Sequence, residues 1–424
     1  MLACNAAAES MGARPGMGLA VARALAPEAR VAVRDTAAER EALEAIALWL
    51  GQFTPSVSLE PPRGTVMEVE GSLRLFGGAG ALLGRLRHGT TDLGFAASIA
   101  FGRTPRAALW RAAGGGGRLQ DLPLEALVLD AGALEFLRGI GARSLGDLMR
   151  LPRAGLAKRV ARRLIDDIDR ATGTRPEARA FFVPPARFSA RLELPGEVSE
   201  AQAVLFAARR LLVQMEGFLA ARHAGVRGFV LTLSHRHAAP RDIAVGLAAP
   251  LRDAGHFTVL LRERLDTLAL AGPVDGLRLE AGDLAPLIGH DGSLFGDPQA
   301  GAEGWLRLIE RLRARLGEQA VHGLAIHPEH RPEHAWCRVE PGARIVQVSD
   351  AQGPRPLWLL DPPRRLREAG FTLLAGPERI ESGWWDGGEA LRDYFIAQDR
   401  DSSLIWIYRE RLQPGGWYLH GIFA

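Results

Sequence analysis

The chain has 424 residues, too many for a single hydrophobic core, so we expect three or four domains. It has 52 basic and 49 acidic residues, a net charge of only +3, so any nucleic-acid-binding surface must come from local clustering of arginine. No run of eighteen apolar residues occurs, and no basic segment precedes an apolar core at the amino terminus. We therefore expect neither a membrane span nor a signal peptide. Two cysteines, Cys4 and Cys337, cannot build a disulfide framework, which favours the cytoplasm.

Residues 1–50 predict a helical region. Pro15 and Gly16 end a first short helix, Met17 to Leu25 form a second, and Thr36 to Trp49 form a third. The third helix carries an apolar stripe that consists of Ala42, Leu43, Ile46, Trp49 and Leu50.

Residues 51–117 predict a small α/β unit. The stretch from Val66 to Val69 belongs to a short strand, Gly80 to Arg87 to a helix, and Gly94 to Phe101 to a second strand. The glycine run at residues 114–117 then interrupts regular structure.

Residues 118–180 are helical in character and contain the segment LRGIGARSLGDLMRLP. Its glycines lie in a turn between two apolar helices, a type of turn whose backbone N–H groups can approach a phosphate near a helix N-terminus. Between Arg138 and Arg163 there are eight basic residues and one acid, which favours binding of a nucleic-acid backbone without sequence readout. A solvated basic helix face is the alternative. The candidate DNA-binding residues are Gly139, Gly141, Arg143, Lys158, Arg159 and Arg162.

A proline-rich linker, residues 181–187, leads to a segment at residues 188–283 in which strands and helices alternate. The predicted order is βαββαβ, a split-βαβ arrangement. Its elements are Ser189–Leu194, Ser199–Arg222, Gly228–His235, Asp242–Leu247, Asp253–Leu270 and Val274–Glu280.

The central hairpin of this segment is rich in basic residues, and we name Arg227, Arg236 and Arg241 as further DNA-binding candidates. Side chains alternate between the two faces of the first strand of this hairpin. Phe229, Leu231 and Leu233 lie on an apolar face, and Val230, Thr232 and Ser234 lie on the opposite face, which bears hydroxyl groups. A hydroxyl face ringed by arginine suits a sugar-phosphate backbone, whereas an ordinary solvated face of an antiparallel sheet explains the pattern equally well.

Residues 284–424 form a C-terminal extension with a predicted helix from Gly304 to Leu316. Seven of the nine tryptophans lie in it, and we expect most to form the core of a small β-rich domain, with a minority exposed for partners. Five potential zinc ligands also lie here, but their spacing lacks the two paired halves of a zinc module, which favours surface histidines. They are His322, His327, His330, His334 and Cys337.

The order of these segments resembles the Y family of translesion DNA polymerases. The helical region matches the fingers, the α/β unit the palm, the glycine-containing hairpin the thumb, and the βαββαβ segment the little finger. The family pattern C-N-Y-x-A-R-x-x-G-V-x-x-x-M also resembles the stretch from Cys4 to Met17. The implied fold class is α+β and multidomain, Y-family polymerase-like, with a C-terminal extension.

The chain departs from the family where the family carries out catalysis. The Tyr and Arg that grip the incoming triphosphate correspond to Ala6 and Glu9. The palm motif S-x-D-E-A-x-x-D supplies an Asp-Glu pair for magnesium, and our alignment places this pair on Arg63 and Gly64, with Glu68 as a remaining acid. Two-metal phosphoryl transfer needs clustered carboxylates, and a guanidinium repels a cation. We therefore expect degenerate catalytic positions and no cofactor or metal.

Nearly the whole chain resembles the ImuB branch of the family, which comprises inducible mutagenesis accessory proteins. The segments that carry this resemblance are QFTPSVSLEPP, GSLRLFGG, FVPPARF, GPERIESGWWDGG and GWYLHGIFA. It implies a DNA-binding adaptor that joins the sliding clamp, the RecA-like partner ImuA and an error-prone DnaE-type polymerase during SOS mutagenesis.

A clamp-binding peptide is expected after the little finger. Such peptides resemble Q-L-x-L-F, and the segment that starts at Asp291 keeps Leu294 and Phe295 but lacks the Gln and the first Leu. A loop anchor that packs on the domain is nearly as good an explanation. The segment Leu75-Phe76 is a poorer candidate because it lies within the palm.

Three functions stay open from the sequence. The leading hypothesis is the noncatalytic adaptor, and the second is an active translesion polymerase with relocated carboxylates at Glu60, Glu68 and Glu70. The third is a protein-interaction module that never contacts DNA. Primer extension separates the first two, and salt-dependent binding to primed DNA argues against the third.

Overall fold

The computed structural model describes residues 3–62, 64–160, 162–282, 284–287, 300–343, 354–367, 370–413 and 415–423. The chain divides into two units, the first with residues 1–243, 250–255 and 271–288, and the second with residues 244–249, 256–270 and 289–424. No helix in the described ranges is long and apolar enough to cross a lipid bilayer.

The amino-terminal region contains the three predicted helices, α1 (Ala6–Ser10), α2 (Leu19–Leu25) and α3 (Thr36–Leu50). Helix α3 begins after Asp35, whose carboxylate accepts hydrogen bonds from two N–H groups of the first turn. Its predicted stripe is buried at Leu43, Trp49 and Leu50.

The α/β unit consists of an antiparallel hairpin and two helices, β1 (Val57–Glu60), β2 (Gly64–Met67), α4 (Ala79–Asp92) and α5 (Pro105–Ala113). Glu60 pairs with Gly64 at the closed end of the hairpin. Gly89 of α4 packs directly against Trp49, because a Cβ atom at this glycine would lie 2.0 Å from the indole ring.

One element predicted in this unit is wrong, and two, strand β1 and helix α5, have no predicted counterpart. Gly94–Phe101 forms no strand, because the hairpin β1–β2 is a two-stranded sheet and offers this stretch no pairing partner. Its aromatic and aliphatic side chains pack on the core instead, so their alternation reflects burial alone. Helix α5 was not predicted, although Thr104 followed by Pro105 is a helix-start signal and the Thr104 hydroxyl accepts a hydrogen bond from the first turn.

Residues 118–180 are helical, as predicted. Their α-helices are α6 (Ala131–Gly139), α7 (Leu145–Arg150), α8 (Arg153–Arg159) and α9 (Arg162–Thr172), and the predicted glycine turn lies between α6 and α7. Ser144 caps α7 in a reciprocal capping box with Asp147. Leucines from α6 and α7 are almost fully buried and pack with Leu164 and Ile168 of α9. The helical hairpin is therefore part of a well-packed core.

The predicted βαββαβ order is confirmed in every element. They are β3 (Phe188–Val198), α10 (Ala201–Ala220), β4 (Ala224–His235), β5 (Arg241–Leu251), α11 (Ala254–Asp266) and β6 (Val274–Ala281). The strand order is β3-β6-β4-β5, and a short strand β7 (Leu284–Pro286) pairs with β4. Strand β6 runs antiparallel between β3 and β4, which α10 connects, so the split βαβ is present.

The C-terminal extension contains the predicted helix, α12 (Ala300–Leu316), and a hairpin of β8 (Gly323–Ile326) and β9 (Trp336–Val339). A five-stranded antiparallel sheet follows, with the order β10-β14-β13-β12-β11. Its strands are β10 (Trp358–Leu366), β11 (Phe371–Ser382), β12 (Ala390–Asp399), β13 (Leu404–Glu410) and β14 (Gly416–Ile422). The predicted β-rich domain and the α+β class are thus confirmed.

The expectation that most tryptophans of this extension are buried is wrong. Trp406 is 2% exposed, and Trp417 packs against Phe371 and Phe395. The other five are at least half exposed because they lie on the helix, on the small hairpin, at a strand end and in a loop. They are Trp305, Trp336, Trp358, Trp384 and Trp385.

Candidate nucleic-acid interface and the palm hairpin

Glu60 ends strand β1 and is one of the acids that the sequence offers for metal binding at the hairpin. Both of its carboxylate oxygens have cationic partners: Arg106 Nη1 lies 3.4 Å from Oε1, and Arg179 Nη1 lies 2.9 Å from Oε2. The two arginine side chains are 13% and 10% exposed. Glu60, whose own side chain is 33% exposed, is therefore paired with two largely buried arginines.

These pairs belong to a network of five charged residues, which we call the Glu60 network: Glu60, Arg106, Asp167, Glu177 and Arg179. Glu177 accepts hydrogen bonds from Arg106 (3.1 Å) and Arg179 (2.7 Å), and Asp167 Oδ1 lies 3.7 Å from Arg106 Nε. The network joins β1, α5, α9 and the segment after α9. Asp167 also pairs with Arg170 at 2.9 Å, so loss of Arg106 would leave Glu60 and Glu177 to share the single charge of Arg179.

The remaining acids of the hairpin do not complete a metal site. Glu68 and Glu70 lie beyond β2 and are exposed, and Glu68 Oε1 accepts a hydrogen bond from the Glu70 N–H (2.6 Å). A Cβ atom on Gly64 would lie 3.3 Å from Leu109, and Arg63 lies outside the described residues. Across the described ranges, no three His, Cys, Asp or Glu side chains are arranged to hold a metal ion. The described residues therefore do not fit the carboxylate cluster of a two-metal polymerase site.

The four candidate cations of the thumb-like helices, Arg143, Lys158, Arg159 and Arg162, are all exposed. In the part of the chain that the structure describes, no carboxylate lies within ion-pair distance of any of them. Arg159 lies over the ring of Phe136 at 5.8 Å. The other four basic residues of the stretch each pair with an acid, and these are Arg138, Arg150, Arg153 and Arg163. Half of the basic residues thus keep a charge that no neighbour neutralises.

The turn at Gly139 and Gly141 is open, because a Cβ atom at either position would meet no other atom within 4 Å. Its N–H groups, however, already have acceptors. Those of residues 140–145 each donate within the chain, two of them to the Asp147 carboxylate at 3.0 Å. The N–H group of Arg143 is the main cause of the lowered pKa of Asp147. The predicted phosphate contacts of these N–H groups would require them to leave their acceptors, so the exposed side chains are the better candidates.

The outer face of the βαββαβ sheet carries acidic side chains beside its hydroxyl groups. Thr232 donates its hydroxyl hydrogen to Asp242 (2.7 Å), and Ser189 donates to Glu280 (3.3 Å). The predicted apolar face is buried at Phe229, Leu231 and Leu233. The hydroxyl face is therefore present, and carboxylates share it with the arginines.

The three arginines proposed at this sheet differ in their surroundings. Arg236 pairs with Glu197 at 3.1 Å. Arg227 and Arg241 are exposed and have no acidic partner among the described residues. The latter two are the stronger candidates for DNA contacts.

Two further outcomes concern residue choice. The clamp-peptide residues Leu294 and Phe295 lie outside the described residues.

The sequence pattern did not single out Arg106, Glu177 or Arg179, and no local signal identifies them. Arg106 and Arg179 lie 46 and 119 positions from their partner Glu60, so only the tertiary fold brings these groups together.

A second polar cluster is buried in the C-terminal sheet. His420 Nδ1 lies 2.7 Å from the Tyr394 hydroxyl, and its ring stacks near Tyr394 and Trp406. Arg392 donates a hydrogen bond to Glu333 (2.7 Å) beside them. Burial lowers the pKa of His420 to about 4, so the imidazole is neutral at pH 7. The sheet thus contains a buried, neutral histidine.

The chain was compared with known proteins. The impB/mucB/samB family model matches residues 1–111. Curated proteins named ImuB from two strains of Caulobacter vibrioides are each 30% identical to the chain over 463 aligned residues, which cover 98% of the chain and 100% of each relative. An insertion ternary complex of Dbh DNA polymerase is 12% identical with a TM-score of 0.35 and covers 66% of this chain and 86% of its own. A DinB family error-prone DNA polymerase from Sulfolobus solfataricus is also 12% identical, with a TM-score of 0.36 and coverage of 67% and 90%. Because the 30% identity extends over the full length of the relatives, the chain belongs to the ImuB family.

Proposed function

We propose that this protein is a noncatalytic DNA-binding adaptor in translesion synthesis and mutagenesis, which links the sliding clamp, ImuA and an error-prone DnaE-type polymerase. Its family membership supports an accessory role in mutagenesis. The observation that carries the noncatalytic part is the state of Glu60, whose two oxygens are paired with Arg106 and Arg179. A divalent cation at this carboxylate would have to displace a guanidinium and then lie beside another positive charge.

This arrangement also disfavours a polymerase with relocated carboxylates. Of the three acids that such an enzyme would use, Glu60 is neutralised, whereas Glu68 and Glu70 are exposed at the far end of β2. Catalytic ions need carboxylates that converge on one point. Exposed acids that do not converge cannot position the attacking and leaving oxygens.

Primer extension tests this part of the proposal. The purified chain, a primed template, four deoxynucleoside triphosphates and either Mg²⁺ or Mn²⁺ should yield no templated incorporation above that of a Glu60→Gln/Glu68→Gln double variant. Incorporation by the wild type that is templated and lost in the double variant would refute a noncatalytic role. The double variant controls for a contaminating polymerase, which would act equally in both samples.

The proposed DNA contacts rest on the exposed cations that have no acidic neighbour. Removal of one cation that binds a phosphate should make the slope of log Kobs against log salt concentration shallower by about 0.9 on duplex DNA. The triple variant Arg143→Ala/Lys158→Ala/Arg162→Ala should therefore reduce the slope by about 2.7 in fluorescence anisotropy titrations. Arg150→Ala is the matched control, because Arg150 already pairs with Asp147 at 3.1 Å. Equal slopes for the triple variant and the wild type would contradict the assignment.

The partner contacts are proposed for the C-terminal extension. Trp384 and Trp385 are 76% and 58% exposed, and their loop is fixed from beneath by Arg331, which donates to both oxygens of Asp386 (2.6 and 3.1 Å). Exposed indoles on a preorganised loop are typical anchors of protein interfaces. A pull-down of ImuA or the DnaE-type polymerase should weaken in Trp384→Ala/Trp385→Ala. The amount of sliding clamp recovered should fall only with the variant Leu294→Ala/Phe295→Ala. Equal recovery with this variant and with the wild type would exclude this segment as the clamp-binding peptide.

A further inference from the structure

Helix α12 has one face whose role the structure already explains. Ile309 and Ala314 are buried, and so is Glu310. The Glu310 carboxylate accepts a hydrogen bond from the Ala248 N–H (2.8 Å), and its other oxygen lies 2.6 Å from His256 Nε2. This face anchors the helix within the second unit.

A different face of α12 is apolar and exposed. Trp305, Leu308, Leu312 and Leu316 are 58%, 46%, 36% and 59% exposed. Their spacing of three, four and four residues places them on one side of the helix over about 16 Å. Isolated exposed leucines are common on protein surfaces, but four large apolar side chains in one stripe are characteristic of an interaction surface.

A row of arginines borders this stripe. Arg307, Arg311 and Arg315 recur at every fourth residue and therefore line one edge of it. Arg311 and Arg315 are 54% and 69% exposed, and among the described residues their acidic partner is Glu263, at 3.1 and 3.8 Å. One carboxylate cannot balance these two guanidinium groups, so this part of the border carries net positive charge.

We propose that this face of α12 binds an amphipathic helix of a protein partner, one whose apolar stripe is bordered by carboxylates. The apolar stripe supplies the contact area, and the arginine edge selects an acidic helix and sets its orientation. A nucleic acid would pair with the arginines but would leave the four apolar side chains uncovered. The proposal rests on the adaptor function and names the chemistry of one of its protein contacts.

The test uses the full chain and a designed probe, a fluorescein-labelled helical peptide of about three heptads with leucine in the seam and glutamate at its edges. Binding should be saturable, and Leu308→Glu/Leu312→Glu should weaken it by about tenfold or more. Arg311→Glu/Arg315→Glu should also weaken it, and a peptide with lysine edges should bind this charge-reversed variant better than it binds the wild type. The matched control is Leu324→Glu, because Leu324 is 61% exposed on strand β8.

Four results would overturn the proposal: no binding to the wild type, equal binding to wild type and Leu308→Glu/Leu312→Glu, no preference for the acidic peptide, or an equal loss in the Leu324→Glu control. Adsorption to phosphatidylglycerol vesicles that needs the stripe, without peptide binding, would instead assign the face to lipid. Concentration-dependent dimers that Leu308→Glu/Leu312→Glu abolishes, without peptide binding, would assign it to a second copy. DNA binding and primer extension are also measured in the same variants. These measurements distinguish a failure of the proposed helix-binding face of α12 from a failure of the proposed adaptor function.

Discussion

Acidification from pH 7 to pH 5 is expected to destabilise the C-terminal sheet through His420. Burial lowers the pKa of this side chain from 6.5 to about 4 in the folded protein, whereas the unfolded chain has the ordinary value. Over this range the unfolded state binds a proton and the folded state does not. The contribution of His420 to the free energy of unfolding therefore falls as the pH drops below about 6.5 and changes no further below about 4.

The magnitude follows from the two pKa values, 6.5 and about 4. Their difference corresponds to about 3.4 kcal/mol in the limit of low pH, of which about 2 kcal/mol is lost between pH 7 and pH 5. Two acids of the same unit, Glu329 and Asp386, do not obscure this window. Hydrogen bonds from Arg331 lower the pKa values of both acids to about 2. Their contribution to the free energy of unfolding is therefore lost only when the pH falls below the ordinary pKa of a carboxyl group, near 4.

Urea unfolding of the whole chain at pH 7 and pH 5 measures the effect, with tryptophan fluorescence as the signal because Trp406 stacks on Tyr394 at 4.1 Å. The control is His420→Gln, whose amide keeps a polar group beside the Tyr394 hydroxyl but does not titrate. The midpoint of the transition that reports on Trp406 should fall in the wild type and stay constant in the variant. An equal fall in both proteins would refute the role of His420.

Two further predictions concern packing in the first unit. Arg106→Met should lower the free energy of unfolding by about 1.5–3 kcal/mol because it removes the charged hydrogen bonds to Glu60 and Glu177, which then share Arg179 alone, whereas Glu60→Gln, at the more exposed end of the network, should cost about 1 kcal/mol. Urea unfolding at pH 7 compares them, and equal losses would contradict the burial argument. Gly89→Ala should cost about 1–3 kcal/mol because its Cβ meets Trp49, and Gly84→Ala, which meets open space on the same helix, should stabilise by about 0.5–1 kcal/mol. The midpoint of thermal unfolding is measured for both glycine variants. If Gly89→Ala, like Gly84→Ala, had a higher midpoint than the wild type, the helix would have to move to admit the methyl group.

The sequence was most informative where local periodicity and burial coincide. In the βαββαβ segment, Phe229, Leu231 and Leu233 alternate with polar residues and are buried, so the period of two identified both the strand and its inner face. The same holds for α3, where Asp35 supplies the cap and Trp49 the packing face. Such elements are specified by neighbours in sequence.

Properties that depend on distant residues could not be predicted. The alternation of Gly94–Phe101 is as regular as that of β4, but a strand also needs a paired backbone, and this stretch has none. The state of Glu60 depends on Arg106 and Arg179, which no spacing rule connects to it. The exposure of Trp384 depends on a loop that Arg331 fixes.

The Glu60 network has a mechanical consequence. It ties hairpin β1–β2 to helix α9, and close by the Thr104 hydroxyl donates to the Ala171 carbonyl oxygen (3.0 Å). Rotation of the four thumb-like helices away from the hairpin would separate Arg106 from Asp167 and break the hydrogen bond between Thr104 and Ala171. The angle between the hairpin and these helices is therefore held by polar contacts at their junction.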